Sequence, residues 1–240
     1  CPYFGLKEVL DFPSWETLPG EEIAPSPDIV GKRLSILHTL LSEKGPHLVV
    51  CPLQAVLQKI ASPEHLNCHK WKKGDAVKFS DLAAFLSHLG YRRSPVVADK
   101  GEFALRGGIL DIFPIASTDP YRIEFFGNTI EGIRTFDPIG QRSIAKADSV
   151  FLCPAQESKL SATIFDYLGK ETVVIFDDLL ALEDKYVSLQ SLSGAKSSSF
   201  LTFDDLMKAI KNSPRIFWTK ETAQELSDVQ LNKKVGRAFY

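Results

Sequence analysis

Between about residues 95 and 150 the sequence is a succession of short apolar segments, and this pattern constrains the fold more than any other feature. EFALRG, ILDIFP, YRIEFFG and TIEGIRTF follow one another over residues 102–136, each cut by Gly, Pro or Asn. Such segments are typical of short strands joined by tight turns. A helix is predicted just before them, over 82–91, with Asp81 as its cap. This part of the chain therefore predicts an α+β module with an antiparallel sheet.

The flanking sequence indicates α/β structure. Helices are predicted after Asp28, which would cap the first, and over 53–60, with a short buried strand between them. The apolar segment TVVIFDD at 172–178 predicts another strand. A rise in polarity at residues 62–79 and a Ser-rich stretch at 191–199 then suggest where the domains are divided. We predict a first domain in two parts, at residues 1–65 and 156–190, with a module inserted between them at 66–155. A Ser-rich linker and the start of a C-terminal α/β segment follow at 191–240.

Composition limits the kinds of partner. The 28 basic and 30 acidic residues leave a formal net charge of −2, so no global field would hold a polyanion. No apolar run approaches the roughly 20 residues of a membrane span, and no signal peptide opens the chain. We expect a cytoplasmic protein without membrane contact. Because the chain begins with Cys1 rather than Met, we also expect it to be part of a longer protein.

No motif predicts a cofactor or a metal. The chain lacks the phosphate-binding sequence G-x-x-x-x-G-K-[ST], so Asp177 and Asp178 at the end of TVVIFDD are interpreted as strand-end or helix-cap carboxylates rather than magnesium ligands. Cys68 and His69 could meet Cys51 and His47 around a metal. Zinc ligands usually come in closely spaced pairs, however, so buried or idle thiols are favoured.

The pentad HKWKK at residues 69–73 leaves a second interpretation open. Interleaved basic and aromatic side chains can hold phosphates and stack on bases. A solvated linker face with a partly buried Trp71 is the favoured alternative.

Several strings together resemble one bacterial family. FPSWETLP and SPDIVGKRL, then GEFALRGGILDIFP, PYRIEFFG, IRTFDPIGQRSI and PAQE, are similar to the UvrB-homology module at the N-terminus of the transcription-repair coupling factors (Mfd). The resemblance covers residues 10–185. It implies a degenerate P-loop, helicase-like nucleotide-fold domain with an inserted UvrA-binding module. It also implies that the full-length protein is an ATP-dependent DNA translocase that reaches RNA polymerase and DNA through downstream domains.

Two departures from UvrB accompany this resemblance. UvrB has a Tyr-rich hairpin where this chain has FPSWETLPGEEIAPSPD, and an acidic DESH motif where this chain reads DDLL at 177–180. We therefore expect no catalysis by this chain and interpret Asp177 and Asp178 as a remnant of the nucleotide motif. The alternatives are a fragment of a UvrB-like ATP-dependent helicase, and a module that only packs against other domains of its own chain.

The family resemblance also implies a binding surface for UvrA. Side chains alternate along a strand, so Phe103 and Leu105 share one face while Ala104 and Arg106 share the other, which an antiparallel sheet can leave free. Arg106 and Arg93 match arginines by which UvrB binds UvrA, and Ala104 stands where UvrB has a third. Arg92 could compensate for it, and Phe103 is a further candidate contact. Local ion pairs of these arginines with Asp99 or Glu102 are the alternative.

Overall fold

The computed structural model describes residues 9–17, 23–192 and 200–218, and shows a mixed α/β chain with several antiparallel sheets. Most of the predicted linker, at 193–199, and the tail after residue 218 lie outside the described residues. The elements in chain order are β1 (Val9–Asp11), α1 (Pro27–Ser42), β2 (Leu48–Val50), α2 (Leu53–Leu57), β3 (Ile60–Ala61), β4 (His69–Lys72), α3 (Leu82–His88), β5 (Arg92–Arg93), β6 (Glu102–Arg106), β7 (Ile109–Ile112), β8 (Tyr121–Phe126), β9 (Thr129–Phe136), β10 (Ser143–Lys146), β11 (Ser149–Leu152), β12 (Leu160–Ala162), β13 (Val174–Asp177), α4 (Leu179–Leu192), α5 (Phe203–Ala209) and β14 (Arg215–Trp218).

The short apolar segments form a six-stranded sheet in the order β10-β9-β8-β7-β6-β5, here called the main sheet. All neighbours are antiparallel except β5 and β6. Gly107 and Gly108 join β6 to β7 with φ angles of +53° and +91°. Two successive positive φ angles make the tight hairpin turn that matches strand twist, which explains the paired glycines. The sequence prediction of short, glycine-bounded antiparallel strands is confirmed.

A hydrophobic core fills one side of the main sheet. It is built from α3, from β4 and β11, and from the inward residues of the strands, among them Trp71, Leu82, Leu86, Phe103, Leu110, Ile112, Ile123, Ile133, Val150 and Leu152. The opposite side is not free along its whole length. Ala104 lies there in a small buried cluster with Val97, Phe113 and Phe136. Phe113 is thus buried on the outer side of the sheet, whereas Phe126 at the end of β8 is 76% exposed.

The helices begin and end differently from the sequence prediction at three points. Ser26, rather than Asp28, caps α1 and accepts a hydrogen bond from the backbone N–H of Ile29, while Asp28 pairs with Lys100. Asp81 is the residue before α3 but makes no capping hydrogen bond, because its carboxylate is bound by Ser80 and Lys78. The helix predicted over 53–60 ends at Leu57. The residues that follow pair with β12, and this tertiary pairing overrides local helix propensity.

A second core surrounds α1 and the short parallel pair of β1 and β2. Within it Arg33 is fully buried, and its guanidinium donates to the carboxylate of Glu157, with 2.5 Å between Nε and Oε1. The same guanidinium donates to the carbonyl of Pro13 and to Gln58, and lies over the rings of Phe12 and Trp15. Residues 12–15, helix α1 and residues 154–157 therefore meet at one buried ion pair.

Among the residues described, no helix is both long enough and apolar enough to cross a membrane.

Candidate functional site

The outer side of the main sheet carries a row of alternating charges, here called the arginine face. Strand register places its members on one side: Arg92 opposite Glu102, Asp111 opposite Arg122, and Arg122 opposite Arg134. Alternation along each strand adds the remaining side chains to the same side. The arginine face consists of Arg92, Glu102, Arg106, Asp111, Arg122, Glu124, Phe126 and Arg134.

Asp111 is the buried centre of this row. It is 2% exposed, and both of its oxygens accept hydrogen bonds from Arg122, at 2.6 Å from Nε and 2.8 Å from Nη2. These hydrogen bonds raise the pKa of Arg122, against an opposing effect of burial. Arg122 also lies over the ring of Phe136, with 4.9 Å from Cζ to the ring centroid. A two-point guanidinium–carboxylate pair of this kind holds both groups in a fixed orientation.

Arg106 is held less tightly and is more accessible. Its Nη2 lies 3.5 Å from Oδ2 of Asp111, and its side chain is 56% exposed. That distance is at the limit of hydrogen bonding, so most donors of this guanidinium remain available to a partner. Since Asp111 already binds Arg122, this pair of arginines carries one positive charge more than its shared carboxylate balances.

Carboxylates partly neutralise the other two arginines of the face. Arg92 donates to Glu102 at 2.6 Å, and Arg134 pairs with Glu124. Burial pushes the pKa of Glu102 upward, but hydrogen bonds from the backbone N–H groups of residues 98 and 99 and the charge of Arg92 outweigh it, so this pKa lies below its usual value. Arg92 therefore takes part in the local ion pair that the sequence left open as an alternative.

The structure separates the other candidates from Arg106. Phe103 is fully buried in the core on the opposite side of the sheet, so the expectation that it contacts a partner is replaced by its core role. Register places Arg93 opposite Phe103, on that same inner side at the sheet edge, where it is exposed. Ala104 is 3% exposed beneath Val97 and Phe136, so no partner could reach a side chain there.

Arg122 and Phe126 share the surface of Arg106, and the sequence reasoning did not select them. The segment YRIEFF carries the signal, because Arg122, Glu124 and Phe126 alternate with Ile123 and Phe125. Phe125 turns inward and packs edge-on against Phe79, with 5.2 Å between ring centroids. Phe126 consequently points outward, as an exposed aromatic ring on the same side of the sheet as Arg106 and Arg122. Aromatic and arginine side chains are the types most enriched where partners contribute most binding energy.

The acidic pair Asp177 and Asp178 lies between the end of β13 and the start of α4. Asp178 accepts a hydrogen bond from the backbone N–H of Ala181 at 3.3 Å, and its own carbonyl accepts from Leu182, so it caps α4. Asp177 is exposed beside it.

A cleft lined by His65, His88 and Lys159 has a volume of about 120 Å³. Typical small-molecule sites are larger, at roughly 300–1,000 Å³.

The candidate metal ligands and the basic pentad are also placed by the structure. In the part of the chain that it describes, no group of three or more His, Cys, Asp or Glu side chains could hold a metal ion. Trp71 of the pentad is 8% exposed and belongs to the core, while Lys70 and Lys72 on either side are exposed. The tryptophan is thus buried and its neighbours are solvated as expected, but the predicted linker is instead strand β4, paired with β11, and the indole of Trp71 is not free to stack on a base.

The reactivity of the cysteine thiols provides a direct check on how the chain packs around them. Burial raises the pKa of Cys51 to about 11 and that of Cys68 to about 12, and it also raises the pKa of Cys153. A raised pKa keeps a thiol protonated at neutral pH, and the thiolate is the reactive form. We expect iodoacetamide at pH 8 to modify Cys51 and Cys68 at least about 100-fold more slowly in the folded chain than in urea, where a thiol pKa is about 8.5. Peptide-resolved mass spectrometry would measure this, and equal rates in both states would contradict the described packing.

Comparison with known proteins identifies the relatives of this chain. Residues 70–157 match the family model of the UvrB interaction domain, a range that contains the main sheet. The chain is 38% identical over 154 residues to the transcription-repair-coupling factor of Haemophilus influenzae, and 36% over 151 residues to that of Escherichia coli. The corresponding protein of Bacillus subtilis is 34% identical over 158 residues. These matches cover 62–63% of this chain but only 13% of each relative. The resemblance stated from the sequence is confirmed.

Proposed function

We propose that this chain, which carries a UvrB interaction domain and is homologous to the transcription-repair-coupling factors, recruits UvrA in transcription-coupled nucleotide excision repair. The observation that carries the proposal is the arginine face. It combines accessible guanidinium donors on Arg106 with an exposed aromatic ring on Phe126, within the range that matches the family model. The surface would imitate that of UvrB and so bring the damage-recognition protein to a stalled RNA polymerase.

Arginine chemistry indicates what the partner must offer. A guanidinium binds a carboxylate through two parallel hydrogen bonds and tolerates partial loss of water. The matching surface of UvrA would therefore present Asp or Glu side chains to Arg106 and Arg122, and an apolar pocket to Phe126. Arg92 and Arg93 stay on the sheet edge as secondary contacts in this proposal.

The finer organisation belongs to the same proposal. The residues around α1 form the first part of a degenerate, helicase-like nucleotide-fold domain, into which the UvrA-binding module is inserted at 66–155, with the return at 156–190. In this proposal the chain has no working nucleotide site, which agrees with the role of the Asp178 carboxylate as the cap of α4. The chain would act in the cytoplasm without catalysis of its own. ATP-driven movement on DNA and binding to RNA polymerase would be supplied by other regions of a full-length protein.

Competition with UvrB tests the proposal. We expect calorimetric titration of UvrA into this chain at moderate salt to show saturable binding, and we expect prior addition of UvrB to abolish it, because both would occupy one site. The variant Arg215→Ala should bind UvrA as the unaltered chain does, since Arg215 is exposed on β14, outside the main sheet. Absence of binding by the unaltered chain would overturn the proposal in favour of a module that packs only against its own protein.

A further inference from the structure

The arginine face contains a carboxylate that no partner could easily reach. Asp111 is 2% exposed, whereas the two arginines that it binds are exposed to 56% and 19% of their side-chain surfaces. An acidic residue at the centre of a surface meant for carboxylates would repel them if it were accessible. Its burial beneath the arginines removes that conflict and leaves a structural anchor for their guanidinium groups.

We infer that Asp111 is a positioning residue that sets Arg106 and Arg122 for an acidic partner. This inference rests on the proposed function and assigns a role to a residue that does not itself contact UvrA. Arg122 fixes both carboxylate oxygens, and Oδ2 then stands 3.5 Å from Arg106. The position of Arg106 thus depends on a carboxylate that a neighbouring strand holds in place.

The asymmetry of the two ion pairs explains how positioning and binding can coexist. The hydrogen bonds of Arg122 to Asp111 are short, at 2.6 and 2.8 Å, while Arg106 makes only a single longer contact with this carboxylate. Arg106 is therefore oriented without having its donors consumed. A side chain restricted in this way loses less conformational entropy when a partner binds.

A double-mutant cycle tests the inference. We expect Asp111→Asn to raise the dissociation constant for UvrA about tenfold in the unaltered chain, and by about threefold or less in an Arg106→Ala background. Smaller loss in that background is the signature of action through Arg106, which a purely structural role would not produce. Asp81→Asn is the matched control, because Asp81 is exposed on the helix side of the module and pairs with Lys78. It should leave affinity unchanged.

The outcomes separate this inference from the function beneath it. Binding by the unaltered chain, with the same loss on Asp111→Asn in both backgrounds, overturns the positioning role alone. Absence of any binding overturns both. Should circular dichroism show that Asp111→Asn unfolds the module, the comparison is made between Arg122→Gln and Asp111→Asn/Arg122→Gln, in which no guanidinium at residue 122 is left without its carboxylate. In that comparison, an increase of less than about threefold in the dissociation constant for UvrA overturns the inference.

Discussion

Replacement of Arg33 by methionine is expected to lower the free energy of unfolding by about 3–5 kcal/mol, the largest stability effect that we predict. The side chains of Arg33 and Glu157 are 0% and 1% exposed, so the substitution would leave a carboxylate in the core without its charge partner. Trp15 would still donate to Glu157 at 3.1 Å, but one neutral hydrogen bond cannot replace a guanidinium. Urea unfolding followed by circular dichroism would measure the loss.

Lys32→Met supplies the control at the next position of α1. Lys32 pairs with Asp11, but their side chains are 47% and 67% exposed, so its loss should cost about 0–1 kcal/mol. The double variant Arg33→Met/Glu157→Gln should recover part of the stability, because it removes the stranded charge. Equal effects of Arg33→Met and Lys32→Met, or no recovery in the double variant, would show that this ion pair is not the element that joins α1 to residues 154–157.

The strand pattern of residues 95–150 was predictable because it is local. Alternating apolar side chains and glycine-bounded turns are written into EFALRG, ILDIFP and their neighbours, and the main sheet follows from them. Alternation along β6 also placed Arg106 outward. It could not show that Ala104, two residues before, is covered, since Val97 and Phe136 come from the loop before β6 and from the end of β9. Contacts between distant segments leave no periodic trace.

The partial prediction of the site has a related cause. Alternation already put Phe103 on the side opposite Arg106, and the structure buries it in the core, whereas Phe126 lies with Arg122 and Arg106 on the outer side. The pair Phe125 and Phe126 had to put one ring on each face. Deciding which one required the register against β9, and the bulge between Glu124 and Phe125 in this pairing is a tertiary feature. The remaining sequence signal for this charged side of the sheet was Asp111, an acidic residue within the apolar segment ILDIFP.

Charge reversal at Arg106 is expected to abolish UvrA binding. Loss of a buried, hydrogen-bonded charge at an interface costs about 2–5 kcal/mol, and a glutamate would in addition repel the carboxylates of the partner. A glutamate at this position would also face the side of the sheet that carries Asp111, and two nearby carboxylates disfavour each other. The side chain is 56% exposed and lies beside a hairpin turn, so it can move into solvent and the fold should persist. Calorimetric titration would measure the binding, with circular dichroism to confirm the fold.

Phe126→Ala separates charge from shape at the same surface. Removal of an exposed ring should leave the stability of the free chain within about 0.5 kcal/mol and yet weaken binding, if the ring enters a pocket on UvrA. Arg215→Glu, on β14, repeats the charge reversal away from the main sheet and should change neither quantity. Binding that survives Arg106→Glu and Phe126→Ala but fails in Arg93→Glu would transfer the contact to the inner edge of the sheet. Loss with both outer variants and not with Arg93→Glu would support the arginine face as the surface that UvrA occupies.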